Sequence, residues 1–337
     1  MYLITGASGI VGSHLMMNLL KKDLPIRAIY RSQAAIEKAR SNFKLYGNET
    51  LSLFDKIEWV PGDVTDIPSL EDALVNVNYV FHCAATVSFK KSDYDLMQKV
   101  NVEGTANLVN CCLKSDVKKL CHVSSTAAIG DTDKERFITE KLPWKKGKFT
   151  SNYSITKYQA EMEVWRGAEE GLEVVIVNPS IIIGAGDWST SSAELFNKVW
   201  TGLKFYTLGK TAFVDVRDVA RAMDELLHSP IKNEKFLLCS ENWTYQKLFN
   251  HIATVLGKNK PSIRVRSWLL GIIWRFEAVR SFIFNGSPIV TKETAHSSMN
   301  TKEYSAEKIK QALSFQFIEI EAAINHTGTL FLQSKAG

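Results

Sequence analysis

Cysteine is scarce in this sequence, and no cysteines stand at the spacing of a metal or redox motif. The five are odd in number, lie in mostly apolar settings and form no Cys-x-x-Cys: Cys83, Cys111, Cys112, Cys121 and Cys239. This usage argues against a disulfide-stapled fold and is typical of buried thiols in a reducing compartment. His82 and His122 also lack companion ligands, so we expect core positions for both and no metal site.

Long uninterrupted hydrophobic runs are missing as well. The most apolar segment, "WLLGIIWRFEAVRSFIF" at residues 268–284, is broken by Arg275, Glu277 and Arg280. A spanning helix needs about 20 predominantly apolar residues, so no membrane span is expected. Two interpretations stay open for this segment: a core helix or the wall of an apolar pocket, and a helix on a membrane surface.

The N-terminal stretch "MYLITGASG" has neither the basic region nor the cleavage site of a signal peptide. A cytoplasmic location is therefore expected. The chain also lacks a long basic run, although its formal net charge is +5. This distribution gives no indication of a nucleic-acid partner, whereas a phosphate-bearing cofactor would suit the positive charge.

Alternating strand and helix patterns fill the first 180 residues of the 337. The predicted strands are "MYLIT", "IRAIY", "IEWVPG", "NYVFHCAA", "KLCHVSS" and "EVVIVNPS", with helices near residues 10–22, 34–45, 95–114 and 153–170. Strands rich in β-branched residues that are separated by helices of ten or more residues indicate βαβ crossovers. The pattern predicts an α/β fold with a doubly wound parallel sheet.

The strict alternation ends near residue 180. Short strands follow at "FYTL", "TAFVDV" and "EKFLLC", with helices near residues 193–201, 216–228, 245–256 and 305–313. We predict a dinucleotide-binding domain over residues 1–180 and a smaller α/β substrate lobe over 181–337, some segments of which return to the first domain. A small-molecule substrate should occupy the cleft between them.

A glycine-rich loop follows the first predicted strand. In "LITGASGIVG", Gly6 permits the tight turn, Gly9 lets the backbone approach a pyrophosphate, and Gly12 allows close packing of helix and strand. The start of the next helix supplies N–H donors and partial positive charge. The predicted cofactor loop also includes Ser8, Ile10 and Val11.

The residue type at the end of the second strand distinguishes NAD-binding from NADP-binding proteins of this kind. Here "AIYRSQ" offers Arg31 and Ser32, and no carboxylate that could hold the free ribose diol of NAD. A guanidinium forks onto a 2′-phosphate, so we expect NADP, with NAD as the alternative if Arg31 is only a solvated strand end. Asp63 and Val64 in "GDVTD" are expected to contact the adenine.

Two Tyr-x-x-x-Lys pairs occur, and a chain with this composition would contain about one by chance. Tyr153 and Lys157 lie in a helical context, "YSITKYQAEMEVW". Tyr206 and Lys210 flank Gly209 in "YTLGK", which is typical of a strand and turn. Because residues four apart share one helix face, only the first pair is expected to act together.

The ordered motifs resemble the extended short-chain dehydrogenase/reductase family, the NAD-dependent epimerase/dehydratase superfamily. They are "TGASGIVG", "GDVTD", "VFHCAA", "NVEGTANLV", "HVSSTAAIG", "YSITK", "NPSIIIG", "FVDVRDVA" and "YSAEKIKQALSF". The resemblance implies that Tyr153 is the acid/base and that Lys157 holds the nicotinamide ribose and lowers the pKa of Tyr153. Ser125 would stabilise the reacting oxygen, with Ser124 and Thr126 as the nearest alternatives.

The same resemblance implies the remaining cofactor contacts. These are Ala84 and Ala85 under the cofactor, Asn101 in support of the active-site helix, and Pro179 and Ser180, with Asn178, beside the nicotinamide. Asp215 and Asp218 are expected to be structural, through capping and contacts between the lobes. A homodimer formed through the helices near residues 95–114 and 153–170 is also expected.

Departures from the family patterns narrow the expected activity. Sugar 4,6-dehydratases carry Thr-Asp-Glu where this chain has Ser125, Thr126 and Ala127, so the acid and base of that elimination are missing. Nucleotide-sugar epimerases usually carry an acidic residue and a tyrosine where Ala212 and Ile129 stand here. The chain is more similar to the dihydroflavonol 4-reductase and 3β-hydroxysteroid dehydrogenase branch.

That branch implies an NADP-dependent oxidoreductase that interconverts a ketone or aldehyde with an alcohol on a small, ring-containing substrate. The aromatics of the second lobe would then line an apolar pocket or belong to the core: Trp188, Trp200, Phe205, Tyr206, Trp268 and Trp274. Two alternatives stay open: a nucleotide-sugar epimerase with tightly bound NAD, and a non-catalytic protein that senses NADP.

Overall fold

The main sheet of this computed structural model, which describes residues 1–131, 136–265 and 298–336, has seven parallel strands. They are β1 (Tyr2–Thr5), β2 (Ile26–Tyr30), β3 (Glu58–Pro61), β4 (Tyr79–His82), β5 (Lys119–Val123), β6 (Glu173–Pro179) and β10 (Glu234–Leu238). Their order across the sheet is β10, β6, β5, β4, β1, β2, β3. The order in which the chain adds strands reverses between β1 and β4, and this switch point creates the crevice in which such sheets bind dinucleotides.

Helices cover both faces of this sheet. They are α1 (Ile10–Leu20), α2 (Gln33–Leu45), α3 (Asn48–Ser52), α4 (Ile67–Ala73), α5 (Tyr94–Met97), α6 (Gly104–Leu113), α7 (Asn152–Glu169) and α9 (Val216–His228). Alternate strand residues enter two separate cores, for example Ile4 with α1 and α9, and Leu3 with α4 and α6. The predicted doubly wound α/β fold is confirmed.

The helix predicted near residues 95–114 is confirmed as one continuous helical stretch. A π-helical segment, Gln98–Glu103, joins α5 to α6 within it. This segment was not predicted, because a π turn differs from an α turn by a single residue. Gly104 begins α6 at a tight contact, where a Cβ atom would lie 2.6 Å from Val64 Cγ2.

The second half of the chain builds two smaller sheets. One contains β7 (Ile181–Ile183), β9 (Lys210–Asp215) and β11 (Glu241–Thr244), and the other pairs β8 (Phe205–Tyr206) with β12 (Ile263–Arg264). The helices here are α8 (Glu194–Trp200), α10 (Tyr245–Val255), α11 (Glu307–Leu313) and α12 (Ile320–Ala336). Trp188 and Trp200 pack on the buried Phe331 ring, so both belong to this core.

Two elements of the second half return to the main sheet. Strand β10 pairs with β6, and α9 packs against α1. Asp215 caps α9 by accepting from Arg217 N at 2.8 Å, and Asp218 accepts from Ile318 N at 2.6 Å, which confirms their expected structural role. The division at residue 180 stays a prediction.

The apolar segment 268–284, with Trp268 and Trp274, lies outside the described residues. Within the described ranges, no helix has the length and hydropathy that a bilayer crossing requires.

Candidate active site

The glycine-rich loop is a close-packed turn between β1 and α1. Gly6 has φ +67°, and a Cβ there would lie 2.5 Å from Ala84 N. A Cβ on Gly12 would lie 2.4 Å from Gly6 O, and Gly9 N donates to that same oxygen at 3.0 Å. Larger side chains at Gly6 or Gly12 would displace backbone, so both positions require glycine.

The start of α1 is open to a ligand. Gly9 is exposed and extended, no side chain caps the helix, and no acidic residue lies in its first turn. Free N–H groups and a positive helix terminus suit a diphosphate, so these residues fit a dinucleotide cofactor. Val11 is buried and can contribute only its backbone, whereas Ser8 and Ile10 are half-buried at the rim.

A buried side chain supports this loop from behind. Asn42 of α2 donates to Ser8 O at 3.3 Å and to Ser13 Oγ at 2.9 Å, and Ser13 in turn donates to Ala7 O at 3.0 Å. Asn42 is 3% exposed. It is a functional residue that the sequence reasoning missed, because it lies far along the chain from the glycines.

A pocket of about 560 Å³ lies at the ends of β2 and β3. Arg31 is 67% exposed at its side chain, 4.0 Å from the Asp63 carboxylate. The Asp63 carboxylate also accepts from Thr65 N at 2.8 Å. Ser32 precedes α2 without capping it through its side chain. The Val64 side chain is buried against α6, so a cofactor contact by Val64 stays a prediction for its backbone alone.

Tyr153, Ser125 and Lys157 come together at the carboxyl edge of the main sheet. Ser125 lies close enough to the Tyr153 side chain to favour its ionised form. Lys157, 2% exposed, donates from Nζ to Val123 O at 2.8 Å, one residue before the two serines. Ser154 ties the start of α7 to the serine loop by donating to Ala127 O at 2.6 Å.

Burial dominates the acid–base chemistry of this group. It raises the pKa of Tyr153, and the nearby Ser125 side chain opposes that rise. Burial lowers the pKa of Lys157 to about 8, while the Glu161 carboxylate acts in the opposite direction. Tyr153 and Lys157 lie one turn apart on α7, and the acid/base role of this pair stays a prediction.

The Ser124 side chain is engaged with α7. Ser124 is 4% exposed, and its hydroxyl donates to Glu161 Oε2 at 2.7 Å, while the selection of Ser125 stays a prediction. Asn178, fully buried, donates from Nδ2 to that same oxygen at 2.9 Å and to Ser125 O at 3.0 Å. Glu161 lies four residues after Lys157 on the same helix face, and this spacing was a signal available in the sequence.

Asn101 supports the active-site helix as predicted. From the π segment it accepts from Thr86 N at 2.7 Å, donates to Thr86 O at 2.9 Å and donates to Thr156 Oγ1 at 3.2 Å. Its amide is engaged by protein groups, and a direct contact with cofactor stays a prediction. Ala84 and Ala85 follow β4 beside Gly6, and Ala84 N donates to Thr5 Oγ1 at 3.2 Å.

The two histidines on neighbouring strands are core residues, as expected. His82 is bonded to Thr5 Oγ1 at 2.7 Å and to Thr105 Oγ1 at 2.9 Å. The His122 ring is tilted by 38° to the His82 ring at a centroid distance of 5.0 Å, and neither of its buried ring nitrogens has a partner among the described residues. In that part of the chain no cluster of His, Cys, Asp or Glu has the arrangement of a metal site.

The second tyrosine–lysine pair is separated by strand structure. Tyr206 ends β8, while Lys210 begins β9 and forms an ion pair with Glu303. This confirms the predicted strand-and-turn context, in which Tyr206 and Lys210 do not share a helix face.

An exposed aromatic side chain lies beside Tyr153. The Phe89 ring lies 6.1 Å from the Tyr153 ring, and Phe89 and the nearby Val87 are largely exposed. Pro179 ends β6, and Ser180 follows it at the carboxyl edge of the sheet. The buried Ser180 hydroxyl has no partner among the residues described.

Comparisons with known proteins agree with this geometry. The profile of the NAD dependent epimerase/dehydratase family matches residues 2–239. A candidate dihydroflavonol 4-reductase of Synechocystis sp. is 28% identical over 330 residues, which span 96% of this chain and 92% of that protein. Cinnamoyl-CoA reductase 1 of Oryza sativa subsp. japonica is 31% identical over 244 residues, 69% of each chain. The crystal structure of gox2253 has a TM-score of 0.81 at 27% identity, covering 99% of this chain and 98% of that one.

Proposed function

The chain belongs to the NAD dependent epimerase/dehydratase family, and from that premise we propose that it is an NADP-preferring reductase of a small, ring-containing ketone or aldehyde. It is an NAD(P)-dependent oxidoreductase of the extended short-chain type. The observation that carries the proposal is the convergence of Ser125, Tyr153 and the buried Lys157 at the end of β5, where Lys157 Nζ donates to Val123 O and Ser154 ties the start of α7 to Ala127 O.

The three side chains have distinct roles in the proposed reaction. A bound nicotinamide cofactor supplies the hydride in the reduction and accepts it in the reverse oxidation. Tyr153 donates a proton to the carbonyl oxygen as the alcohol forms, and Ser125 donates a hydrogen bond to the same oxygen while it gains charge. Lys157 keeps a positive charge close to Tyr153 and lowers the cost of the tyrosinate that remains.

NADP rather than NAD is supported by the groups at the end of β2. Arg31 is exposed there, and α2 begins two residues later with neither a side-chain cap nor an acidic residue in its first turn. A guanidinium and a free helix terminus both favour a 2′-phosphate. Asp63 is the nearest acid, but its carboxylate is engaged by the Thr65 backbone and hydroxyl.

An apolar substrate is supported by the exposed apolar side chains near Tyr153. Val87 is 53% exposed and Phe89 is 45% exposed, and Phe89 contacts Tyr153 itself. Apolar groups left in water near a reactive tyrosine suit a ring that stacks on them. The relatives named as reductases of dihydroflavonol and cinnamoyl-CoA act on aromatic compounds by their names, and we extend this substrate class to the present chain.

The family also includes epimerases, which keep a tightly bound NAD and show no net redox change. Ala212 and Ile129 stand where an epimerase would carry an acid and a tyrosine, and both are buried apolar residues here. A non-catalytic NADP sensor is the other alternative. The presence of Ser125, Tyr153 and Lys157 together argues against it, because a sensor has no need of a proton donor.

The proposal includes a cytoplasmic homodimer. Leu96 of α5 is 52% exposed and Met162 of α7 is 37% exposed, on the two helices expected at the interface. Size-exclusion chromatography with light scattering gives the mass directly. A monomer at micromolar concentration would contradict this part of the proposal.

The deciding experiment titrates NADPH and NADH and then screens cyclic ketones, flavonoid-like compounds and UDP-sugars for loss of nicotinamide absorbance. We expect tighter binding of NADPH and turnover of aromatic or cyclic ketones. Interconversion of UDP-sugars without cofactor consumption would replace the reductase by the epimerase. Binding of NADPH with no turnover of any ketone would favour the sensor.

A further inference from the structure

A carboxylate lies buried beneath the catalytic group. Glu161 is 0% exposed, and its two oxygens receive three hydrogen bonds, from Ser124, Asn178 and Lys235. Carboxylates are almost never fully buried unless they are paired, because burial without partners is costly. Because burying this carboxylate costs free energy, its presence here indicates a role beyond packing.

The partners of Glu161 come from three different strand ends. Ser124 follows β5 and immediately precedes Ser125, while Asn178 in β6 also donates to Ser125 O. Glu161 itself lies on α7, one turn beyond Lys157 and two turns beyond Tyr153. One carboxylate thus fixes the serine strand, its neighbour β6 and the tyrosine helix relative to one another.

The charge on Glu161 is balanced from the far edge of the sheet. Lys235 of β10 is 22% exposed and donates from Nζ to Glu161 Oε1 at 3.1 Å. Its backbone is held in turn by Lys308 of α11, which donates to Lys235 O at 2.8 Å. The positive charge at this point therefore comes from the C-terminal half of the chain.

We propose that Glu161 is a positioning residue that sets the protonation of Lys157 and the spacing of Ser125 from Tyr153, and that Lys235 moderates its charge. The inference rests on the proposed function, since it presupposes that Tyr153 and Lys157 act at the reacting carbonyl. Glu161 touches neither substrate nor cofactor in this account.

The electrostatic surroundings of Lys157 make the proposal specific. Besides Glu161 and Tyr153 on its own helix, the titratable groups facing it are His82 and Cys83 at the end of β4 and His122 of β5. Both histidines are held neutral by burial, and burial raises the pKa of Cys83 to about 12. Glu161 is therefore the negative charge that favours the ammonium form of Lys157 at neutral pH.

The proposal predicts opposite effects from two neutralising substitutions. Glu161→Gln removes the stabilising anion, so the ammonium form of Lys157 is lost at a lower pH. Lys235→Gln removes the balancing cation, so Lys157 holds its proton to a higher pH. A merely structural role would lower stability in both variants without moving the titration in opposite directions.

The test measures the pH profile of kcat for ketone reduction together with the NMR titration of ¹³Cε-lysine in the cofactor-free protein, with the Lys157 signal assigned from Lys157→Arg. Relative to wild type, we expect the alkaline limb to move down in Glu161→Gln, with about tenfold less activity at pH 9, and to move up in Lys235→Gln. Glu161→Asp should restore part of the wild-type profile. Glu163→Gln, on the same helix and paired with Arg166, is the matched control and should leave it unchanged.

Unmoved limbs, or limbs that move in the same direction in both variants, would overturn the proposal. If Glu161→Gln fails to fold, Lys235→Gln, at a side chain that is 22% exposed, still shows in which direction the titration of Lys157 moves. The NMR titration separates this inference from the function, because it needs no substrate. A wild-type protein without reductase activity would refute the proposed function, while opposite Lys157 shifts would still support the role of Glu161.

Discussion

Ser125 and Tyr153 lie side by side at the carboxyl edge of the sheet, although one follows β5 and the other is in the first turn of α7. The contact between these two elements is fixed by Ser154, which donates to Ala127 O at 2.6 Å. In the proposed reaction, a carbonyl oxygen that binds at this point would receive hydrogen bonds from both hydroxyl groups.

Tyr153→Phe is expected to lower kcat for ketone reduction by about 10²- to 10⁴-fold, because the proton donor is lost while the ring is kept. Its melting temperature and its affinity for NADPH should stay close to those of wild type. Tyr206→Phe removes the hydroxyl of the coincidental pair and is the matched control. Wild-type turnover in Tyr153→Phe, or an equal loss in Tyr206→Phe, would contradict the catalytic assignment.

Arg31→Ala should weaken NADPH binding about tenfold or more and leave NADH binding nearly unchanged, because only NADPH has a 2′-phosphate for the guanidinium to bind. Fluorescence titration of the two cofactors measures both constants. Lys44→Ala, at the other end of the same helix, removes an exposed cation and should alter neither. Equal weakening for NADPH and NADH would rule out 2′-phosphate recognition by Arg31.

The two core histidines should respond oppositely to replacement by leucine. His122 has two buried nitrogens without partners among the described residues, so His122→Leu should raise the free energy of unfolding by about 1 kcal/mol. His82→Leu breaks the bonds to Thr5 and Thr105 and should lower it by about 1–3 kcal/mol. Urea denaturation at pH 7.5 compares them. Equal destabilisation would show that the ring nitrogens of His122 have hydrogen-bond partners in the folded protein.

Acid should destabilise the fold through His14. Burial lowers the pKa of His14 to about 4 from the ordinary value of 6.5, so the unfolded chain binds the proton more tightly. The stabilisation is complete above pH 6.5 and is lost, at about 1.4 kcal/mol per pH unit, as the pH falls towards 4. Unfolding free energies at pH 7.5, 6.5 and 5.5 should therefore fall less steeply in His14→Gln than in wild type.

His251→Gln, at a position on the surface of α10, is the control for that series and should retain the wild-type slope. Parallel pH dependence in His14→Gln and wild type would mean that His14 does not remain neutral in the folded protein.

Local patterns predicted the elements that local chemistry determines. The bounds of α9 coincide with the predicted 216–228 because an apolar stripe follows a capping aspartate, Asp215. The glycine loop was predictable for a similar reason, since Gly9 and Gly12 pack on Gly6 O within the loop, whereas the contact of Gly6 with Ala84 is visible only in the structure. The short helices α3 and α4 were missed, because neither has enough turns to show a helical period.

Contacts between distant segments explain what the sequence could not predict. Lys235 meets Glu161 across 74 residues, and only the pairing of β10 with β6 brings them together. Asn42 reaches the phosphate loop from α2 in the same way. The resemblance alone selected Ser125, but only the structure shows that the Ser124 hydroxyl donates to Glu161, 37 residues along the chain.

The most direct test of the central claim follows the hydride itself. The protein is incubated with a cyclic ketone and NADPH that carries deuterium at the transferred position of C4, and the alcohol is analysed by mass spectrometry. The account predicts one deuterium on the new carbinol carbon for each NADPH consumed, and none in the Tyr153→Phe variant over the same time. An alcohol without deuterium, or interconversion of a UDP-sugar with no NADPH consumed, would contradict it.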